Sequence, residues 1–146
     1  MTEPARLVLD TNTVLALWHF ADRNLVPLAT AIAAGRVALA SREDALAELC
    51  DVLTRPRFGI TPEAQARLVS DYRARLAFFP ETGAVYELPQ CCDRDDQKFL
   101  EISRAAAASH LLTRDKLLLK LARHRLLGGR FRIVTPERFV AELACR

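Results

Sequence analysis

"LVLDTNTVLAL", residues 7–17, sets an acid, Asp10, where an apolar run gives way to a helical pattern. Leu7, Val8 and Leu9 are apolar without alternation, as in a strand buried on both faces. From Thr13 onward Leu, Val and Ala recur as they do in a helix. A carboxylate at such a handover is either solvated at the sheet end or paired, often with a metal.

The rest of the chain repeats this alternation. Strands are predicted at 6–9, 36–40, 83–88, 110–113 and 131–135, and helices at 13–20, 25–34, from Ser41 to before Pro56, from Thr61 to before Pro80, at 96–108, at 116–123 and after Thr135. Ser41 stands where an N-cap belongs, with Glu43 and Asp44 in the first turn. Thr61 and Thr135 each precede a proline at the first helical position. Val69, Tyr72, Leu76 and Phe79 give the helix after Thr61 its core face. Alternating strands and helices predict an α/β fold, a three-layer α/β/α sandwich around a mostly parallel sheet of about five strands. Such folds gather their sites at the carboxyl ends of strands.

The 146 residues, 51% hydrophobic and 27% charged, predict one globular domain over residues 1–146. No apolar run approaches the ~18 residues needed to span a bilayer. "MTEPAR" at the N-terminus lacks a signal-peptide pattern, so a cytoplasmic location is expected. Cys50, Cys91, Cys92 and Cys145 have no zinc-site spacing and read as free thiols. The net charge is only +3, but from Arg114 to Arg132 seven basic residues meet one acid, Asp115. That stretch is either a solvated helix face or a surface for a polyphosphate backbone.

Three further acids share the address of Asp10. Glu48 falls at the rim of the apolar arc made by Leu46, Leu49, Val52 and Leu53. Asp96 shares a stripe with Phe99, Leu100 and Ser103, and Asp93 or Asp95 is free to cap its helix. Asp115 follows the strand "HLLT", where it also suits an N-cap for the helix opening at Lys116. Each acid has a local structural explanation. Together, converging carboxylates raise one another's pKa values, and a hard divalent cation with oxygen ligands relieves that repulsion.

Four segments in order, "LDTN" at 9–12, "SREDALAELCDVL" at 41–53, "DRDDQKFLEIS" at 93–103 and "LLTRDKLL" at 111–118, resemble the PIN domain. The likeness runs from Leu7 to Leu143 and is strongest to bacterial PIN proteins described as toxin components of toxin–antitoxin systems. It implies a small α/β/α sandwich with a clustered acidic site for Mg²⁺ or Mn²⁺. The family's acids carry over to Asp10, Glu48, Asp96 and Asp115, and its polar helpers to Asn12, Thr113 and Ser41. Asp93 and Asp95 match acids of variable role and are left outside the site. Arg114 replaces a Gly common in relatives, and Leu117 replaces a second Asp.

The resemblance implies metal-dependent hydrolysis of phosphodiesters, most of all in RNA, with a cognate antitoxin protein and a homodimer among the partners. Arg114, Lys116 and Lys120 are the basic residues expected at backbone phosphates, and Arg55 and Arg57 extend that surface. Trp18 and Phe20 suit either core packing or a dimer surface. The other function held open is a non-catalytic RNA- or protein-binding module on the same fold. A phosphotransferase of the haloacid-dehalogenase type needs a second Asp where Asn12 stands, and glycine spacings for a P-loop or dinucleotide site are missing.

Overall fold

In the computed structural model, residues 3–77 and 85–145 are described. Four parallel strands, β1 (Ala5–Leu9), β2 (Val37–Ala40), β3 (His110–Leu112) and β4 (Arg132–Val134), form one sheet in the order β2-β1-β3-β4. Around it lie α1 (Thr11–Trp18), α2 (Val26–Ala33), α3 (Glu43–Leu53), α4 (Pro62–Ala74), α5 (Gln97–Ala105), α6 (Lys116–Leu119) and α7 (Pro136–Ala144).

The continuous apolar run of β1 follows from its interior place between β2 and β3. Side chains alternate across the sheet. Leu7, Leu9, Leu39, Leu112 and Val134 pack with α1, α2, α3, α4 and Phe139 of α7. Val8, Leu111 and Ile133 face the other way, onto Phe99, Leu100 and Ile102 of α5 and Leu118 of α6. The sheet therefore has a helical layer on each face, as expected for an α/β/α sandwich.

Of the strand expected at 83–88, the described part is not in this sheet. Residues 83 and 84 lie outside the described residues, and 85–88 form no strand. A single parallel bridge instead joins Leu76 to Leu39 at the outer edge of β2. Phe79 and Pro80, expected to pack and to end α4, also lie outside the described residues; α4 stops at Ala74. Ser41 is not the cap of α3. Arg42 takes that position without a capping side-chain bond, and the Ser41 side chain lies near the buried phenol of Tyr72.

The strand order places the functional region. From β1 the chain moves to β2 on one side and returns to β3 on the other. The carboxyl ends of β1 and β3 thus flank a topological switch point, where open parallel sheets form their crevices. Asp10 follows the first of these strands, and Thr113 and Asp115 the second.

Candidate active site

A cleft of about 220 Å³ opens at that switch point, lined by Asp10, Thr11, Asn12, Glu48, Val52, Arg55, Arg57, Asp93, Asp95, Asp96, Phe99 and Asp115. Asp10, Glu48, Asp96 and Asp115, widely separated in sequence, meet there. Six carboxylates face two guanidinium groups in this lining.

Asp10 is buried and N-caps α1: its Oδ1 accepts from the Thr13 backbone N–H at 2.9 Å. Its Oδ2 accepts from the Thr113 hydroxyl at 2.5 Å. The Thr113 oxygen in turn accepts from the Asp115 backbone N–H at 2.9 Å. Asp115 caps α6 through Oδ1, which accepts from Leu117 N–H at 2.8 Å. The Leu112 carbonyl accepts from both Asp10 N–H (3.3 Å) and the Thr13 hydroxyl (3.2 Å), tying β3 to the start of α1. Burial pushes the Asp10 carboxyl up in pKa, against the hydrogen bonds from Thr113 and Thr13 that hold it down.

The opposite wall comes from α3 and α5. Glu48 accepts from the Thr11 hydroxyl through Oε2 and pairs with Lys98 Nζ through Oε1 at 2.8 Å. Lys98 also donates to the Asp95 carbonyl. A 3₁₀ turn, Arg94–Asp96, leads into α5 and is capped by Asp93, whose Oδ1 accepts from Asp95 N–H at 2.9 Å. Asp96 itself occupies the N-cap position of α5 but makes no capping bond. Its Oδ2 is buried without a hydrogen-bond partner. Burial first, then the negative charges of Asp115, Asp93, Asp10 and Glu48, push its pKa up to about 7.

An orphaned carboxylate oxygen among carboxylates has the chemistry of a cation site: all donors are oxygen, and six carboxylates outnumber the cations Arg55, Arg57 and Lys98 beside them. The arrangement is not a finished coordination shell, for no three His, Cys, Asp or Glu side chains among the described residues are grouped closely enough to hold an ion as they stand. Asp10 and Asp115 keep acceptor capacity beyond the bonds they make, and Asp96 Oδ2 is uncommitted. The donors fit a hard divalent cation.

The other expected residues divide. Asn12 is exposed on the cleft wall. Thr113 is fully buried beneath the acids, so it supports Asp10 and Asp115 and presents nothing to a substrate. Ser41 lies near Tyr72 and does not line the cleft. The Arg114 guanidinium is held by Asp22 at 2.8 Å and Glu137 at 2.6 Å, which braces the loop after β3. Lys116 and Lys120 are exposed but are not among the cleft residues, whereas Arg55 and Arg57 are. Asp93 and Asp95, left outside the site on sequence, belong to its lining. Thr11 and Lys98 were missed. The only sequence signal for either is adjacency, to Asp10 and to Asp96.

The chain belongs to the PIN domain family, whose model matches residues 6–117. The matched stretch contains every cleft-lining residue and all four strand-to-helix handovers except the last, from β4 to α7. PIN domains are typically metal-dependent nucleases. Among curated proteins, no match to the chain is found. No described helix is long and apolar enough to cross a membrane.

Proposed function

We propose that this protein is a divalent-metal-dependent endoribonuclease that hydrolyses RNA phosphodiester bonds. The observation that carries the proposal is the buried, unpartnered Asp96 Oδ2 facing three other acids across one cleft. Asp10 and Asp96 would be the central ligands of Mg²⁺ or Mn²⁺, with Asp115 and Glu48 completing the set directly or through water. When bound, such an ion polarises a phosphoryl oxygen, offsets charge in the transition state and makes water a better nucleophile near neutral pH.

The protein's own share is positioning and proton handling. Thr113 and the Thr13 N–H fix the direction of Asp10, and Asp115 is held by its cap on α6. Glu48 or Asp115 takes the proton of the attacking water. Arg55 and Arg57 stand at the cleft where the scissile strand's phosphates would pass, giving affinity that falls with salt.

The resemblance to bacterial toxin components supports a finer role as the toxin of a toxin–antitoxin pair, with a cognate antitoxin and a homodimer as partners. A non-catalytic binding module has its own supporting observation: both Glu48 oxygens are already engaged, by Thr11 and Lys98. End-labelled mixed RNA incubated with Mg²⁺ or Mn²⁺, with EDTA and Asp96→Asn as controls, separates the two. Metal-dependent cutting lost in Asp96→Asn supports the nuclease. Uncut RNA that still binds the protein supports the module.

A further inference from the structure

An aromatic cluster adjoins the acid cleft, joined to it by Arg57, and its rings have no part in the chemistry above. Phe20 is 61% exposed, a large apolar side chain that the core does not use. Its ring stands 4.6 Å from that of His19 and 6.3 Å from that of Phe58, and His19 and Phe58 are 6.2 Å apart. The guanidinium of Arg57 lies over the Phe58 ring at 4.8 Å, and Arg57 also lines the cleft. The cluster is therefore continuous with the acids through one residue.

Its placement is built in at both ends. Phe58 is half-buried against the core. His19 and Phe20 close the end of α1, both donating their backbone N–H to the Leu15 carbonyl. Ala21 follows at φ +47, the left-handed region that an L-residue enters only at a cost, and the chain turns away to leave Phe20 outward. An exposed single phenylalanine needs no explanation. One set edge-to-face against a histidine and tilted against a second phenylalanine, itself covered by a cleft arginine, has the composition of a single-strand stacking platform, aromatic faces beside cations that track a backbone.

We propose that His19, Phe20, Phe58 and Arg57 form a stacking platform for an unpaired nucleobase of RNA bound at the neighbouring cleft. The assignment rests on the nuclease proposal for its choice of RNA. It follows from geometry: with its bases paired and stacked, a duplex offers no free face to Phe20, whereas a splayed base can lie on that ring while its phosphates pass Arg55 and Arg57.

The test is equilibrium binding of a short single-stranded RNA carrying 2-aminopurine, and of its duplex, to the full chain in EDTA so that nothing is cut. The platform predicts quenching of 2-aminopurine on binding, tighter binding of the single strand than of the duplex, and roughly tenfold weaker single-strand binding in Phe20→Ala. Phe20→Trp should restore both affinity and quenching. Equal binding of single strand and duplex, or unchanged affinity and quenching in Phe20→Ala, overturns the proposal. So does loss of a dimer in Phe20→Ala with RNA binding intact, since a second copy then covers the ring. Stacking without any cleavage when Mg²⁺ is supplied would remove the nuclease and leave the platform standing.

Discussion

On the strand wall of the cleft, Asp10 and Asp115 are each tied to backbone N–H groups, and one buried hydroxyl, Thr113, links them. On the helix wall, Glu48 shares its charge with Lys98, and Asp96 has an oxygen with no partner. The strand wall would hold its shape without any ligand. The helix wall carries the unsatisfied group, so it is where a cation gains most on entering. Acids of similar appearance in the sequence thus differ in what they contribute: scaffold on one side, demand for charge on the other.

Substitution of Asp96 should have the largest effect. Asp96→Asn is expected to lower RNA cleavage by about a hundredfold, the upper end of the range seen when metal-site partners are lost, with the fold retained. Circular dichroism and cleavage measured on the same sample check both halves. A folded variant with wild-type cleavage would break the distinction between the walls.

Thr113→Val attacks the strand wall instead. It leaves Asp10 Oδ2 and the Asp115 N–H without their partner, a cost of about 1–3 kcal/mol in buried surroundings. Thr11→Val removes the hydroxyl bonded to Glu48 on the helix wall, at a partly exposed site, and should cost less than about 1 kcal/mol. Urea unfolding of both variants gives the comparison, and equal losses would contradict it.

The pH dependence of the metal-free protein sharpens the point. Folded Asp96 has a pKa of about 7, above its unfolded value of about 4. The folded state therefore holds more protons than the unfolded state between those values, and Asp96 makes stability fall as pH rises through that window. In EDTA the protein should be about 1–2 kcal/mol more stable near pH 5 than near pH 8 on account of this half-buried group. Asp96→Asn should flatten the slope, and a saturating divalent cation should reverse it. A slope unchanged in Asp96→Asn would place the burden on other groups.

Removal of Lys98 should give the smallest effect. Lys98→Met frees Glu48 and withdraws a competing positive charge, so Mn²⁺ affinity is expected to rise by about two- to tenfold, the scale of a partly exposed ion pair. Titration calorimetry reads this directly. Weaker Mn²⁺ binding would mean that Lys98 holds Glu48 in place for the ion.

Much of this was legible in the sequence, for physical reasons. The interior strands announce themselves as unalternating apolar runs, and prolines and threonines mark the helix starts. Asp96 could be singled out because Asp93 and Asp95 were available as caps; in the structure Asp93 caps the 3₁₀ turn, and Asp96 stands at the N-cap position of α5 without a capping bond. What failed were tertiary choices. "GAVYEL" has strand composition, yet residues 85–88 join no strand. Arg114 looks like a phosphate contact until Asp22 and Glu137, from distant segments, claim it. Ser41 has the chemistry of a cap, yet the backbone enters α3 one residue later, at Arg42. Lys98 has no periodicity that could reveal it, because its partner lies 50 residues away.

The central claim is that these acids together hold a divalent cation, and its most direct test is Mn²⁺ binding to the full chain followed by electron paramagnetic resonance. The account predicts saturable binding in the wild type and its loss in folded Asp96→Asn. No saturable Mn²⁺ in the wild type, or the same affinity in Asp96→Asn, would contradict it.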